Sequence, residues 1–252
     1  MRFASLGSGS EGNGLVVEAG ATRLLMDCGF GLAETRTRLA RLGLAPHDLC
    51  GIVVTHEHGD HIGGVGRFAR KHGLPVWLTA GTLVMAQDMD GVEVRVIDSH
   101  AVFAVEALEV QPFPVPHDAR EPVQYVFSDG ARKLGVLTDS GCSTPHIETI
   151  LSGVAALVLE CNHDAAMLAN GPYPLSLKQR VGGRFGHLEN GQSAELLGKL
   201  KHDQLQCVMA AHVSRKNNTP ALARRALAQV LNCADDDVCV ACQTAGFDWI
   251  TI

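Results

Sequence analysis

Thr55-His56-Glu57-His58-Gly59-Asp60-His61 directly follows the apolar run Ile52-Val53-Val54. Four ligand-type side chains within six residues, at the end of a buried strand, restrict the folds open to the chain. Loops at strand ends are where α/β proteins place their sites. His56 and His58 alternate by two, so an extended turn points both the same way, and Asp60 and His61 follow where a helix begins. Solvated loops favour Lys, Glu, Ser and Gly instead. Imidazole and carboxylate together suit zinc, manganese or iron.

Four donors cannot fill two coordination shells. Suitable residues recur at other predicted strand ends: His117 in Pro-Val-Pro-His-Asp, Asp139 in Thr-Asp-Ser-Gly, and His212 after Val208–Ala211. They complete a set of seven. The expected first site is His56, His58 and His117, the second is Asp60, His61 and His212, and Asp139 bridges them.

The rest of the chain reads as alternating strands and helices. Strands are predicted at Phe3–Leu6, Gly14–Glu18, Arg23–Asp27, Gly51–Thr55, Val76–Leu78, Val92–Ile97 and Leu108–Val115. In the second half they are predicted at Val123–Ser128, Lys133–Thr138, Val154–Glu160, Gln206–Ala211 and Val238–Cys242, with Asp129-Gly130 marking a hairpin. Helices are predicted over Leu32–Leu42, His61–His72, Ser193–Lys201 and Pro220–Leu231. Several strands are joined by hairpins, so mixed sheets covered by helices fit better than a purely parallel sheet. No linker or repeat divides the 252 residues, which predicts one domain over 1–252.

The net charge of −6, with 12 histidines left neutral, excludes a generic basic nucleic-acid coat. No run approaches the ~18–20 apolar residues of a membrane span. The N-terminus has no apolar signal core. The 8 cysteines lack the dense spacing of a secreted scaffold. A cytoplasmic protein with reduced thiols is expected, with no membrane contact and no obligate protein partner implied. Cys239 and Cys242 form a lone pair of thiols in an apolar stretch and are expected in the core.

The order HxHxDH, distant His, strand-end Asp and late His resembles the ligand order of the metallo-β-lactamase superfamily. That resemblance implies a four-layer αββα sandwich of two mixed β-sheets. The texture is similar to the YycJ/WalJ-type members in Ser5–Ser10 with Gly12-Asn13, in Pro116-His117-Asp118-Ala119 and in Glu160-Cys161-Asn162-His163-Asp164. The similarity continues in Tyr173-Pro174, Gly186-His187-Leu188 and His212-Val213-Ser214 with Asn217-Asn218. It implies a phosphodiesterase on nucleic acid, with DNA favoured and 5′→3′ exonuclease action. Two divalent ions, zinc or manganese with iron tolerated, would activate a bridging hydroxide as nucleophile.

Asp27 matches the family's first motif position and is expected to orient a ligand histidine. His187, like a histidine of the ribonuclease Z group, is the candidate general acid. His163, with Asp164 in a family-like motif beside the site, is a candidate catalytic residue, and Asp60 belongs to both metal and catalytic sets. Phosphate contacts are expected from Lys178 and Arg184, with Arg180, Arg215 and Lys216 nearby, and from Ser214, Asn217 and Asn218.

The alternative reading is a metal-dependent hydrolase of a small molecule: a cyclic or small phosphodiester, a thioester or a lactone. Fold and ligands alone give hydrolysis, not substrate. The segment between Asp139 and His187 is too short for the large inserted cap of the ribonuclease J type. A carboxylate replaces His58 in the flavodiiron relatives, which argues against redox chemistry. The intact ligand set argues against a non-catalytic scaffold.

Overall fold

Neighbouring residues in a strand point to opposite faces, and in most strands here both faces are apolar. Val16 and Val17, Leu24 and Leu25, and Leu157 and Val158 are all buried. Such strands need cover on both sides, and a stack of two sheets with helices outside supplies it.

The computed structural model describes residues 1–252. The first half runs β1 (Arg2–Gly7), β2 (Gly14–Ala19), β3 (Thr22–Met26), α1 (Leu32–Arg41), β4 (Gly51–Val53), α2 (Gly59–Ile62), α3 (Val65–His72), β5 (Val76–Thr79), α4 (Ala80–Met85) and β6 (Val94–Ile97). The second half begins with β7 (Phe103–Val105), β8 (Leu108–Pro114), β9 (Val123–Ser128), β10 (Lys133–Leu137), α5 (Pro145–Leu151) and β11 (Ala156–Glu160). It ends with α6 (Ala165–Asn170), α7 (Leu175–Val181), α8 (Asn190–Leu200), β12 (Cys207–Ala211), α9 (Pro220–Leu231), β13 (Cys239–Val240) and β14 (Phe247–Thr251). No helix is long and apolar enough to cross a membrane.

The two sheets have seven strands each, in the orders β14-β1-β2-β3-β4-β5-β6 and β13-β12-β11-β10-β9-β8-β7. Each half repeats one plan, an antiparallel meander that turns into a parallel run. β1, β2 and β3 lead to parallel β4, β5 and β6. β8, β9 and β10 lead to parallel β11, β12 and β13. Asp27 and Asp139 therefore hold equivalent places, each just past the third meander strand. Both have positive φ, 60° and 52°.

Three cores define the layers. Phe3, Val17, Met26, Tyr125, Phe127 and Val158 fill the space between the sheets. Leu6, Val16, Leu25, Ile52 and Phe68 pack one sheet on its helices, and Leu157, Leu159, Leu197 and Leu227 pack the other. The αββα sandwich of two mixed sheets is the expected one.

The elements differ from the sequence reading in places that have physical causes. The single helix predicted over His61–His72 is two helices, broken at Gly63-Gly64. Gly64 donates its N–H to Cys28 C=O at 2.8 Å. A Cβ on Gly64 would lie 1.9 Å from the Phe30 carbonyl oxygen, so the chain needs glycine there. β4 ends after Val53 because the Val54 carbonyl accepts from Tyr125 Oη and the Thr55 amide goes to the Asp27 carboxylate, so neither continues the ladder. β7, β14 and the helices α4 to α7 are additions. The strand predicted over Val238–Cys242 shrinks to Cys239–Val240, and both cysteines are exposed at the sheet edge rather than in the core.

One bond ties the sheets together beneath the histidine-rich turn. Tyr125 Oη, fully buried, donates to Val54 C=O at 2.6 Å. Replacing Tyr125 with Phe orphans that carbonyl in an apolar layer. The expected loss is about 1–2 kcal/mol, read as a lower urea midpoint at unchanged slope.

Candidate metal centre

The turn after β4 is held from below by one carboxylate. Asp27 Oδ1 accepts the Thr55 N–H at 2.8 Å, and Oδ2 accepts the Thr55 hydroxyl at 2.9 Å. Asp27 Oδ2 also takes the Nδ1–H of His61 at 2.8 Å. That bond keeps the proton on Nδ1, so Nε2 is the ring atom left facing inward as the metal-ligating position. Thr55 Oγ1 lies 2.9 Å from His56 Nδ1 and fixes that ring the same way. His117 Nδ1 donates to Gly186 C=O at 3.0 Å, which turns its Nε2 towards His58 Nδ1, 3.2 Å away.

These contacts produce two donor groups. His56, His58 and His117 each bring a ligand atom within 4.8 Å of the others, and so do Asp60, His61 and His212. Asp139 stands between them. Its Oδ2 is 3.2 Å from His61 Nε2, and its Oδ1 is 3.4 Å from His212 Nε2 and 4.0 Å from His117 Nε2. His56 Nε2, His212 Nε2 and Asp139 Oδ2 are buried without a hydrogen-bond partner. Buried polar atoms are normally paired. Orphaned imidazole and carboxylate donors converging from several strand ends fit divalent metal ions.

Close packing keeps Asp60 in place. The Asn13 N–H donates to Asp60 C=O at 2.8 Å, and Asn13 Nδ2 lies 3.3 Å from both its carbonyl and its carboxylate. Gly29 admits the Asp60 carbonyl, which would sit 1.9 Å from any Cβ there. The glycine-rich loop between β1 and β2 is thus a turn packed against the cleft. On the other side, Ser8 Oγ accepts the His212 N–H at 2.9 Å.

Glu160, which sequence reasoning left without a role, is the main addition. It ends β11 with no exposed surface. Its Oε1 accepts His187 Nδ1–H at 2.8 Å and lies 3.4 Å from His212 Nδ1. Its Oε2 accepts the amides of Ser140 and Leu188 at 3.0 and 3.1 Å. The available signal was a carboxylate closing an otherwise apolar strand, the same pattern that singles out Asp139. His187 stacks on His212 with ring centroids 5.3 Å apart. It lines a cavity of about 370 Å³ together with His58, Asp60, Asp139, Tyr173 and Arg180.

The electrostatics follow from burying carboxylates among imidazoles. Burial opposes a charge on His61, yet Asp139, Asp27 and Asp60 outweigh it and hold its pKa well above the ordinary value. Burial likewise opposes charging His212, but Asp139, Asp60 and Glu160 push it up to about 10. Burial and then His61 hold His56 well below its usual range. Burial disfavours the Glu160 carboxylate, but His187 brings it down to about 2. His187 is raised, because Glu160 overcomes its burial.

Several expected site residues lie elsewhere. His163 is buried with Nδ1 3.3 Å from Asn162 Oδ1, outside the donor groups and the cavity lining. Lys178 is half-buried, does not line the cavity, and spends its ammonium on Ala169 C=O at 2.7 Å, at the end of α6. Arg184 is exposed but does not line the cavity; Arg180, one turn earlier, does, and it is paired with Asp118. Ser214 accepts the amides of Lys216 and Asn217 and shapes their turn. Asn217 is buried. Asn218 is consumed by Asn190, Cys161 C=O and the Thr219 amide. The motif around His212 is a structural latch, so these three do not reach the cavity. Cys28 is buried against Thr35, and burial pushes its thiol up to about 11.

The raised pKa values of His61 and His212 fix the sign of a metal-binding experiment. Without metal both rings carry protons at neutral pH, and ligation requires neutral imidazole. Loading zinc is expected to release protons and to tighten as pH rises towards about 10, the value set for His212. Calorimetry at one pH in buffers of different ionisation enthalpy measures the release. Zero release would contradict this charge assignment.

Comparison with known proteins agrees with the architecture. The beta-lactamase superfamily domain matches residues 22–209. Exodeoxyribonuclease YycJ of Bacillus anthracis is 37% identical over 237 residues, covering 92% of this chain and 89% of that protein. Exodeoxyribonuclease WalJ of Streptococcus pneumoniae is 30% identical over 240 residues, covering 93% and 89%. The crystal structure of the metallo-beta-lactamase fold protein YhfI from Bacillus subtilis superposes with a TM-score of 0.78. It covers 99% of this chain and 98% of that one at 16% identity, a likeness of fold alone. The chain belongs to the metallo-β-lactamase superfamily, in its YycJ/WalJ group.

Proposed function

We propose that this chain, as one domain over residues 1–252, is a metal-dependent phosphodiesterase that degrades DNA from an end, in the 5′→3′ direction. Two divalent ions, zinc or manganese, would be held by His56, His58 and His117 and by Asp60, His61 and His212, with Asp139 placed between the two groups. The observation that carries the reading is the pair of donor groups joined by Asp139 at the floor of an open cavity. The names of the YycJ and WalJ relatives support DNA as substrate. The ions, when bound, polarise the phosphodiester and lower the pKa of water.

The chain's own groups account for the remaining steps. Glu160 holds His187 at Nδ1, which leaves Nε2 as the proton-carrying atom free to serve the departing sugar oxygen. Glu160 raises the His187 pKa against its burial and so favours the protonated ring. Arg180 reaches the cavity and is the cation best placed to meet a phosphate oxygen. Asp27 fixes His61, and Asn13 fixes Asp60.

The direct test is cleavage of end-labelled duplex DNA, single-stranded DNA and RNA by manganese- or zinc-loaded protein, with bis(p-nitrophenyl) phosphate and a thioester alongside. Stepwise shortening of DNA from the 5′ end is expected. Turnover of only the small diester, or only the thioester, would replace DNA with a small-molecule substrate.

Two substitutions separate the roles. Asp60→Ala should lose metal and turnover together, and activity in a fully loaded Asp60→Ala protein would reject the ligand set. His187→Ala should keep its metal content by elemental analysis yet lose roughly 10²–10⁴-fold in kcat on DNA. The loss should be far smaller on a p-nitrophenyl ester, whose leaving group needs no proton. Equal losses on both substrates would reject the general-acid role.

A further inference from the structure

The free edge of β6 has a sequence that pairs with itself. β6 ends its sheet and bonds only to β5, in parallel register Val76↔Val94 through Thr79↔Ile97. The Val76 N–H donates to Glu93 C=O at 2.9 Å, so Glu93 turns its backbone towards β5. Backbone groups alternate sides along a strand. Arg95 and Ile97 therefore also face β5, and Val94 and Val96 direct their N–H and C=O groups outwards.

The side chains around this edge are unusually apolar for a surface. Val96 is 56% exposed, and on α4 Val84 and Met85 are 77% and 53% exposed. Open edges of this kind invite another strand, and charged side chains usually guard them. The guards here are Glu93 and Arg95, paired with each other at 2.6 Å. The Arg95 guanidinium covers the Trp77 ring at 4.9 Å, closing the end of the sandwich.

The order Val92-Glu93-Val94-Arg95-Val96 is charge-complementary to itself under a twofold axis through Val94. Antiparallel pairing then places Glu93 opposite Arg95 of a second copy, twice, and Val92 opposite Val96, twice. Directly opposed side chains have Cβ atoms about 5 Å apart, close enough for ion pairs. The outward N–H and C=O of Val94 meet their own copies in a hydrogen-bonded pair. An axis through Glu93 or Arg95 would set like charges face to face, and an axis between residues would oppose charge to valine. Among these registers only the one about Val94 sets opposite charges face to face.

We propose that β6 is an isologous dimer interface, in which two copies of this chain join their β6 edges about Val94 and continue one sheet across both molecules. The exposed Val84, Met85 and Val96 are covered in that assembly. The guards reject unrelated strands and accept their own copy.

Light scattering across a broad concentration series tests this, with a charge-reversal cycle. The wild-type protein is expected to reach twice the chain mass. Glu93→Arg alone and Arg95→Glu alone should each fall to the chain mass, since each sets like charges opposite. The double variant, and an equimolar mixture of the two single variants, should return to twice the chain mass. Amide exchange at Val94 and Val96 should be slow in the dimer and fast in Glu93→Arg. Thermal melts of the singles, at exposed positions, control for folding. Wild type at the chain mass throughout overturns the proposal, as does a dimer that both single reversals leave intact.

Discussion

The carboxylate of Asp27 holds the site together. It takes three hydrogen bonds from one turn: the amide and hydroxyl of Thr55 and the Nδ1–H of His61. Those bonds join the end of β3 to the loop after β4 and aim two histidine rings at one point. A buried carboxylate is costly unless it is fully paired, and here all of its pairing goes into orienting donors. The backbone contributes as well. Asp27, Asp139 and His212 all sit at positive φ directly after strands. For a residue with a Cβ each such conformation costs about 1 kcal/mol. Strain confined to strand ends that converge on one cleft has a cause in the donor geometry, because an extended residue there would point its side chain into a layer on one face of the sheet rather than out over the strand ends.

The two halves divide the work unequally although they share one plan. At the equivalent position after the third meander strand, Asp27 lies under the donor layer and Asp139 lies within it. One orients a histidine, and the other stands between the two donor groups. Glu160, one strand further, repeats the orienting role for His187 and His212 with a single oxygen. The cleft therefore buries more carboxylate charge than its neutral histidines balance. Without metal, protons on His61 and His212 compensate, as their raised pKa values record. Cations in the donor groups would take over that compensation, which links metal affinity to pH through the same residues.

The donors were readable in the sequence because strand ends and ligand chemistry coincide there. Thr55–His61 follows a buried strand, and His117, Asp139 and His212 each close one. The layered architecture was readable because uninterrupted apolar strands need cover on two faces. Glu160 was harder to assign. A carboxylate at a strand end looks like a solvated boundary until the neighbouring strands bring histidines to it. Ser214 and Asn218 misled for the opposite reason: polar residues beside a ligand histidine suggest substrate contacts, yet here they satisfy backbone groups, while Asn217 is buried with its side-chain amide unpaired. Lys178 and Arg184 flank Arg180 on a short helix and its following turn, and only one of the three faces the cavity, which spacing alone does not decide. The exposed Cys239 lies on a two-residue edge strand and the exposed Cys242 lies just beyond it, where an apolar run does not guarantee burial.

An acidic chain acting on a polyanion needs its attraction to be local. Two arginines near the cleft are already engaged, Arg180 with Asp118 and Arg215 with Glu11. Exposed ion pairs of this kind are worth only about 0–1 kcal/mol, so a phosphate can displace the carboxylate at little cost. Asp118 also lies 3.5 Å from His117 Nε2, so the cation it holds stands beside the donor groups and moves only slightly to meet a phosphate there. Affinity then depends on the metal centre and a few exchangeable pairs rather than on a basic surface. Few phosphate contacts imply a shallow dependence of binding on salt. A net charge of −6 is compatible with that arrangement, because it disfavours non-specific coating of DNA while leaving the cleft, once its metals are in place, as the attractive point for a phosphodiester.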